Sequence, residues 1–280
     1  MLLIRHRPAA PLDRYVQCFW WSRRDEPQDF HEHILPSGGM QLLFTLHESR
    51  ITCLRAPPSR HRIEWSGGMV HGPQWSHYVA GPKPRGAVAG VAFRPGGAGA
   101  VLGLSVSELA DQHVPLDTLW GRPGQELHEQ LMAAADPLSL FQILQQSLSA
   151  RIRHPLFMHP AVAHALRACS PTWSPARVAD VQRDVGYSPR HFIALFRAAV
   201  GLTPKHYYRV QRFNNVARRL ASGSDRDLAD IAAAVGYSDH AHLTREFREL
   251  SGVAPTQYRP GGADRILHHR ASDALRPHLR

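Results

Sequence analysis

The sequence predicts a two-domain α+β protein: a β-rich N-terminal half with trailing helices, then an all-α half carrying two helix-turn-helix units. Three observations predict this. Up to about residue 100, short apolar runs alternate with Pro/Gly clusters; from about residue 98, apolar residues recur at helical spacing; and between 178 and 258 the chain repeats itself. At 280 residues there is room for two cores.

In the first half, runs such as Met40-Gln41-Leu42-Leu43-Phe44 and Val88-Ala89-Gly90-Val91-Ala92-Phe93 lie between PSGG, RAPPSR, SGG, AGPKPRG and RPGGAG. Punctuation every ten or so residues predicts the short strands of a sandwich or barrel. Farther on, Pro137 to Arg153 places Leu138, Phe141, Leu144, Leu148 and Ile152 at spacings of three and four, which predicts a helix with one apolar stripe. The HPLFMHP segment at 154–160 reads as a linker. These features set the expected domains at 1–157, sensory or dimerising, and 158–262, helical. The polar, basic segment 263–280 reads as a mobile tail.

Charge separates the halves further. The formal net charge is +10, but residues 1–159 hold 15 Lys+Arg against 13 Asp+Glu, whereas residues 160–280 hold 18 against 10. A surplus concentrated in the helical half predicts a polyanionic partner for that half, with nucleic acid the usual one. No run of about 18 apolar residues exists to span a membrane, and the N-terminal MLLIRHRPAAPLDR interrupts any signal-peptide-like stretch. Cys18, Cys53 and Cys169 are scattered without CxxC spacing, which points to buried free thiols in a reducing compartment. A cytoplasmic protein without a cofactor is therefore expected. No Gly-rich phosphate loop, nucleophile elbow or paired-carboxylate motif occurs, which argues against enzymes of those types.

The repeat carries the functional argument. VADVQRDVGYSPRHFIALFRAAVGLTPKHY (178–207) and LADIAAAVGYSDHAHLTREFRELSGVAPTQY (228–258) follow one scheme. Each opens with a short helix (Val178, Val181, Val185; Leu228, Ile231, Val235). Gly186 and Gly236 then supply the positive φ of a sharp turn. Tyr187 and Tyr237 are expected as core plugs, and Ser188 and Ser238 as N-caps, with Pro189 at the first helical position. The second helices place core positions at Phe192, Phe196, Ala199 and at Leu243, Phe247, Leu250, and both copies close with Gly-x-x-Pro and a tyrosine. Copy two has one extra residue between serine and helix core. Helix, glycine turn, helix is the scheme whose second helix lies in a major groove. The intervening Thr203 to Ser222 keeps Val210, Phe213, Val216, Ala217 and Leu220 on one side, so a stiff helix would hold two reading heads apart.

Residues from about 159 to 259 resemble the DNA-binding domain of the AraC family of bacterial transcription regulators. The second repeat, DIAAAVGYSDHAHLTREFRELSGVAPTQYR, resembles that family's signature along almost its whole length. The resemblance implies a domain of seven helices with two helix-turn-helix units. It also implies transcription regulation, often activation through contact with RNA polymerase. Phe19-Trp20-Trp21, HILPSGGMQLLF (33–44) and GVAFRPGGAGAVLGLSVSEL (90–109), with Pro36, Gly38, Phe93, Arg94, Pro95 and Gly96, resemble a β-rich domain found ahead of such domains. That resemblance implies a cupin-like fold that senses a small-molecule effector or forms a homodimer.

Geometry selects the readers. Opposite the apolar stripe, the first recognition helix presents Arg190, Ile193, Ala194 and Arg197, and the second presents Ala241, His242, Arg245 and Arg248, flanked by His240 and Thr244. Recognition helices meet bases with their N-terminal halves. Arg190, Ile193, Ala194, His240, Ala241, His242, Thr244 and Arg245 are accordingly assigned to double-stranded DNA bases, with Arg245 suited to a guanine. Ser188, Arg197, Arg209, Arg212, Ser238 and Arg248 are assigned to phosphates. The other reading, a cupin-type metal-dependent enzyme with an accessory helical domain, would rest on the His31/His33 pair, with His71 or His77 as a third ligand. Glu32 between them is expected on the opposite face.

Overall fold

The computed structural model describes residues 1–47, 50–55, 62–152, 158–169, 186–223, 227–262 and 265–270. The N-terminal half is a sandwich of two antiparallel sheets with helices on one face, as the Pro/Gly punctuation predicts. Its strands are β1 (Leu2–His6), β2 (Val16–Arg24), β3 (Glu32–Ile34), β4 (Gln41–Thr45), β5 (Ile51–Arg55), β6 (Arg62–Trp65), β7 (Gly68–His71), β8 (Tyr78–Ala80), β9 (Gly86–Phe93) and β10 (His113–Pro115). A late strand, β11 (His268–Arg270), joins them. One sheet runs β1-β2-β9-β4-β7-β10 and the other β11-β3-β8-β5-β6.

Alternation along the strands builds the layers. Phe19 pairs with Val91, Val91 with Leu42 and Leu42 with Val70, a fully buried row across the first sheet. That row faces helices α1 (Ala98–Leu102), α2 (Leu116–Trp120), α3 (Arg122–Met132) and α4 (Pro137–Ser149), which contribute Val101, Leu127, Leu131, Phe141, Leu144 and Leu148 to the same core. The opposite face of the sheet meets the second sheet through Cys53, Trp65 and Met69. In α4 the stripe holds at Phe141, Leu144 and Leu148, but Leu138, at the first turn, is 58% exposed and Leu140 is buried instead.

The C-terminal half is helical: α5 (Pro160–Ala168), α6 (Pro189–Val200), α7 (Pro204–Ser222), α8 (Leu228–Val235) and α9 (His240–Ser251). Its described residues form two separate cores. Phe192, Phe196, Val200 and Tyr207 gather around α5, and Phe213, Val216, Ile231, Leu243, Phe247 and Leu250 form the other. Helix α7 spans both. The expected first helix of copy one, with Val178, Val181 and Val185, lies outside the described residues.

The expected mobile tail is corrected for residues 265–270. Strand β11 pairs antiparallel with β3 of the sandwich, Ile266 and Leu267 pack on the second helical core, and Leu35 N–H donates to the Leu267 carbonyl. Polarity alone hid this segment: its anchor is an ion-pair hub. Buried Glu32 binds Lys83 and Arg265, and His268 lies at 3.5 Å. Burial works against ionisation of Glu32, but the His268 hydrogen bond and the Lys83 charge outweigh it and hold the carboxyl far below its ordinary range. Residues 263–264 and 271–280 lie outside the described residues.

Candidate nucleic-acid interface

Each recognition helix starts at a side-chain cap and ends at a glycine. Ser188 caps α6, its hydroxyl accepting from His191 N–H at 3.4 Å, with Pro189 next as expected. In copy two the expectation is corrected: Asp239, not Ser238, caps α9, accepting from His242 N–H at 2.6 Å. Ser238 instead donates to the Asp239 carboxylate at 3.1 Å. The extra residue has moved the cap one place along, because a carboxylate beside the serine is the stronger acceptor for the helix N-terminus. Both helices close on glycine in the left-handed region, Gly201 and Gly252, whose N–H groups donate to Arg197 and Arg248 carbonyls at 2.8 Å each.

Counting from the caps aligns the two units. Phe192 and Phe196 occupy the places of Leu243 and Phe247; Arg190, Ile193, Ala194 and Arg197 occupy those of Ala241, Thr244, Arg245 and Arg248. Phe192, Phe196, Leu243 and Phe247 are buried, and Val200 takes the core role expected of half-buried Ala199. On the outward faces Arg190, Ala194, Arg197, His240, Ala241, Arg245 and Arg248 are exposed, as is Ile193 at 37%. Thr244 and His242 are half-buried, and the His242 ring packs edge-on to Tyr237 with Nδ1 3.1 Å from Ser238 Oγ. The exposed members of the expected set are thus Arg190, Ile193 and Ala194 on α6 and His240, Ala241 and Arg245 on α9. Gly186 (φ 68°) and Gly236 (φ 82°) adopt the turn conformation expected of them.

Three expectations are corrected. Tyr237 is a buried plug, but Tyr187 is 41% exposed and rests against His159 and His191. Arg209 and Arg212, assigned to phosphates, are committed elsewhere. Arg212 donates to both oxygens of buried Glu246, at 2.7 and 2.8 Å, and stacks over Tyr237 at 3.9 Å; Arg209 Nε adds a bond to Glu246 at 3.0 Å. Tyr237 O–H completes the set at 2.8 Å. Burial raises the cost of ionising Glu246, yet the Arg212 bonds and charge hold its carboxyl below the ordinary range. The two arginines thus compensate the buried charge of Glu246.

Sequence reasoning missed Asp239 and Glu246. Glu246 occupies the place that Leu195 fills in the first unit, so the alignment of the copies held a signal: a glutamate at an apolar position, with two arginines a helix turn apart on α7. Among the described residues Arg190, Arg197, Arg245 and Arg248 make no ion pair.

The His31/His33 pair resolves differently from a chelate. His33 Nδ1 lies 3.0 Å from the Ser251 carbonyl oxygen and its ring stacks on His77 at 4.9 Å, so it packs against the end of α9. His31 precedes β3, and His71 stands apart beside His113. Glu32 is turned to the opposite side, as the strand period requires. Among the described residues no cluster of three or more metal-capable side chains forms, and no helix is long and apolar enough to cross a membrane.

Comparison with known proteins places these features. Residues 181–261 match the family model of a helix-turn-helix domain, and residues 4–115 that of a domain of unknown function (DUF6597). The melibiose operon regulatory protein of Escherichia coli (strain K12) is 31% identical over 80 residues, 29% of this chain and 26% of that protein. The arabinose operon regulatory protein of the same strain is 27% identical over 89 residues, 32% of this chain and 30% of that protein. The match thus spans under a third of either relative. A crystal structure of ToxT from Vibrio cholerae is 12% identical, covering 85% of this chain and 96% of that one at a TM-score of 0.45. Residues 181–261 thus carry a helix-turn-helix domain, in a chain similar over 80–89 residues to the melibiose and arabinose operon regulatory proteins.

Proposed function

We propose that the protein is a sequence-specific DNA-binding transcription regulator that reads two successive major grooves with α6 and α9. The observation that carries this reading is the pair of cap-aligned recognition helices, each with its N-terminal outward face exposed and basic, in the half of the chain that holds the charge surplus. Arg245 is the principal base reader, with Thr244, His240 and Ala241 around it; His242, engaged in its own turn, is secondary. In the first unit Arg190 reads beside apolar Ile193 and Ala194, so α9 supplies more of the specificity. Ser188, Ser238, Arg197 and Arg248 meet phosphates. The sandwich senses an effector or pairs two copies, and the complex acts through RNA polymerase in the cytoplasm.

Selection of bound sequences from random DNA tests this. The expected result is a bipartite motif with centres about one helical turn apart, 10–10.5 base pairs. Arg245→Ala should cost about 1–3 kcal/mol at the selected site and relax preference at one position. A motif unchanged by that substitution would remove Arg245 from the readers, and recovery of no motif by the wild type would remove the reading itself.

A further inference from the structure

The two closing glycines, Gly201 and Gly252, occupy the same place in the two units, and both are covered by one loop of the sandwich. This is the β7–β8 connection, Gly72–His77. Pro73 lies against Gly201: a Cβ built there would stand 2.4 Å from the Pro73 ring. His77 lies against Gly252, where a Cβ would stand 2.6 Å from His77 Nε2. Gly186, with a similar positive φ, has nothing within 4 Å. Positive φ alone would explain all three glycines; the close approach distinguishes the two that meet the loop. Between these ends, Trp75 packs on the first helical core and stacks on His206 of α7 at 5.1 Å, and His77 N–H donates to the Leu250 carbonyl of α9 at 3.0 Å.

The loop is itself held firmly. Gly72 N–H donates to the Gln112 carbonyl at 2.9 Å, the Pro73 carbonyl accepts from Asp111 N–H at 3.0 Å, and Gln74 pairs with His113 at 2.7 Å. Asp111 is in turn pinned by Arg55. A Cβ at Gly72 would overlap the Leu109 carbonyl, so only glycine lets the loop seat this closely.

The helical half needs such a brace. Among the described residues its two cores share no residue, and α7 is the long element that runs from one to the other. One helix can bend or twist between two small cores; a second strut fixes their relation. We propose that the Gly72–His77 loop is a positioning clamp that sets the separation and relative orientation of α6 and α9, and so the spacing of the two DNA half-elements the protein accepts. The clamp grips both helices at their C-terminal ends and leaves the N-terminal reading faces uncovered. It is thus compatible with bound DNA. Trp75 and His77 are positioning residues, acting through the helices rather than on bases. This inference rests on the DNA-reading proposal for its consequence but not for its geometry.

Two measurements test it on the full chain. In the first, spin labels at Ala194→Cys and Ala241→Cys, with Cys18 and Cys169 replaced by serine, report the distance between recognition helices without DNA. A narrow distribution is expected, broadened by Trp75→Ala/His77→Ala and narrow again in Trp75→Phe, which keeps the ring stack on His206. An equally narrow distribution in the folded double variant would overturn the clamp. In the second, two base pairs inserted between half-elements rotate one by about 70°. The unlabelled wild type should lose at least about tenfold in affinity, and the double variant no more than about threefold. Equal losses would overturn the proposal. If the wild type selects no DNA at all, the regulator reading fails, while the label distances still decide whether the loop fixes the two helices.

Discussion

Glu246 and Arg245 are neighbours in the chain with opposite tasks, and the contrast yields a clean prediction. Glu246 is 6% exposed and receives bonds from Arg212, Arg209 and Tyr237; Arg245 points outward. Glu246→Ala leaves Arg212 unpaired against Tyr237 and should destabilise the domain by about 3–5 kcal/mol. Arg245→Ala should change stability by no more than about 0.5 kcal/mol. Denaturant titration of the two variants checks both, and equal stabilities would show that the buried pair contributes nothing. At this scale the sequence was legible wherever a local rule applied. The glycine turns, the Ser188 cap and the Phe192/Phe196 and Leu243/Phe247 cores are written within a few residues of each other. Glu246 was not legible in that way, because its arginine partners lie 34 and 37 residues away and a lone glutamate on a helix is ordinarily a surface residue. The Asp239 cap fell between the two cases: a single inserted residue offered two candidate caps, and the serine was the one shared with the other copy.

Among the elements, β11 shows how a few charges hold a polar segment in place. Its three residues extend the second sheet by pairing with β3, while Arg265 just before it reaches Glu32 in the sandwich. Burial of Glu32 makes that contact matter, since the carboxylate depends on Lys83, Arg265 and His268 for compensation. Arg265→Ala should cost about 1.5–3 kcal/mol, the range for a hydrogen bond to a charged group. It should also speed hydrogen exchange at Leu35, whose N–H is held by the Leu267 carbonyl. Unchanged exchange at Leu35 would mean that the strand holds its place without the ion pair. The sequence offered no periodicity for this segment, and a strand of three residues has too few positions to show one. Strands β4 and β9, by contrast, are apolar runs bounded by Pro and Gly, and they fall where the sequence placed them.

At the scale of the whole molecule, the seam between the halves is lined by histidines that burial keeps neutral. His33 and His77 stack at the end of α9; burial lowers both to about 4, partly offset at His33 by the Ser251 carbonyl and aided at His77 by the neighbouring His33. His113 is likewise held at about 4 by burial and then by Arg55, and His71 beside it well below its ordinary value. In the unfolded chain these rings take up protons below about pH 6.5. Between about 6.5 and 4 the unfolded state therefore binds more protons than the native one, so stability must fall as pH falls through that window. Above pH 6.5 both states are neutral at these sites and the contribution is constant. The carboxylates act lower, below about 4.3, which leaves the interval from 6.5 to 4.5 to the histidines. His77→Phe preserves a ring against Gly252 and His33 and leaves the backbone bond to Leu250 in place, but cannot be protonated. Unfolding free energies measured from pH 6.5 to 4.5 should therefore decline less steeply in the variant, by up to about 1.4 kcal/mol per pH unit. A slope equal to that of the wild type would show that His77 takes up its proton as readily in the native state as in the unfolded chain.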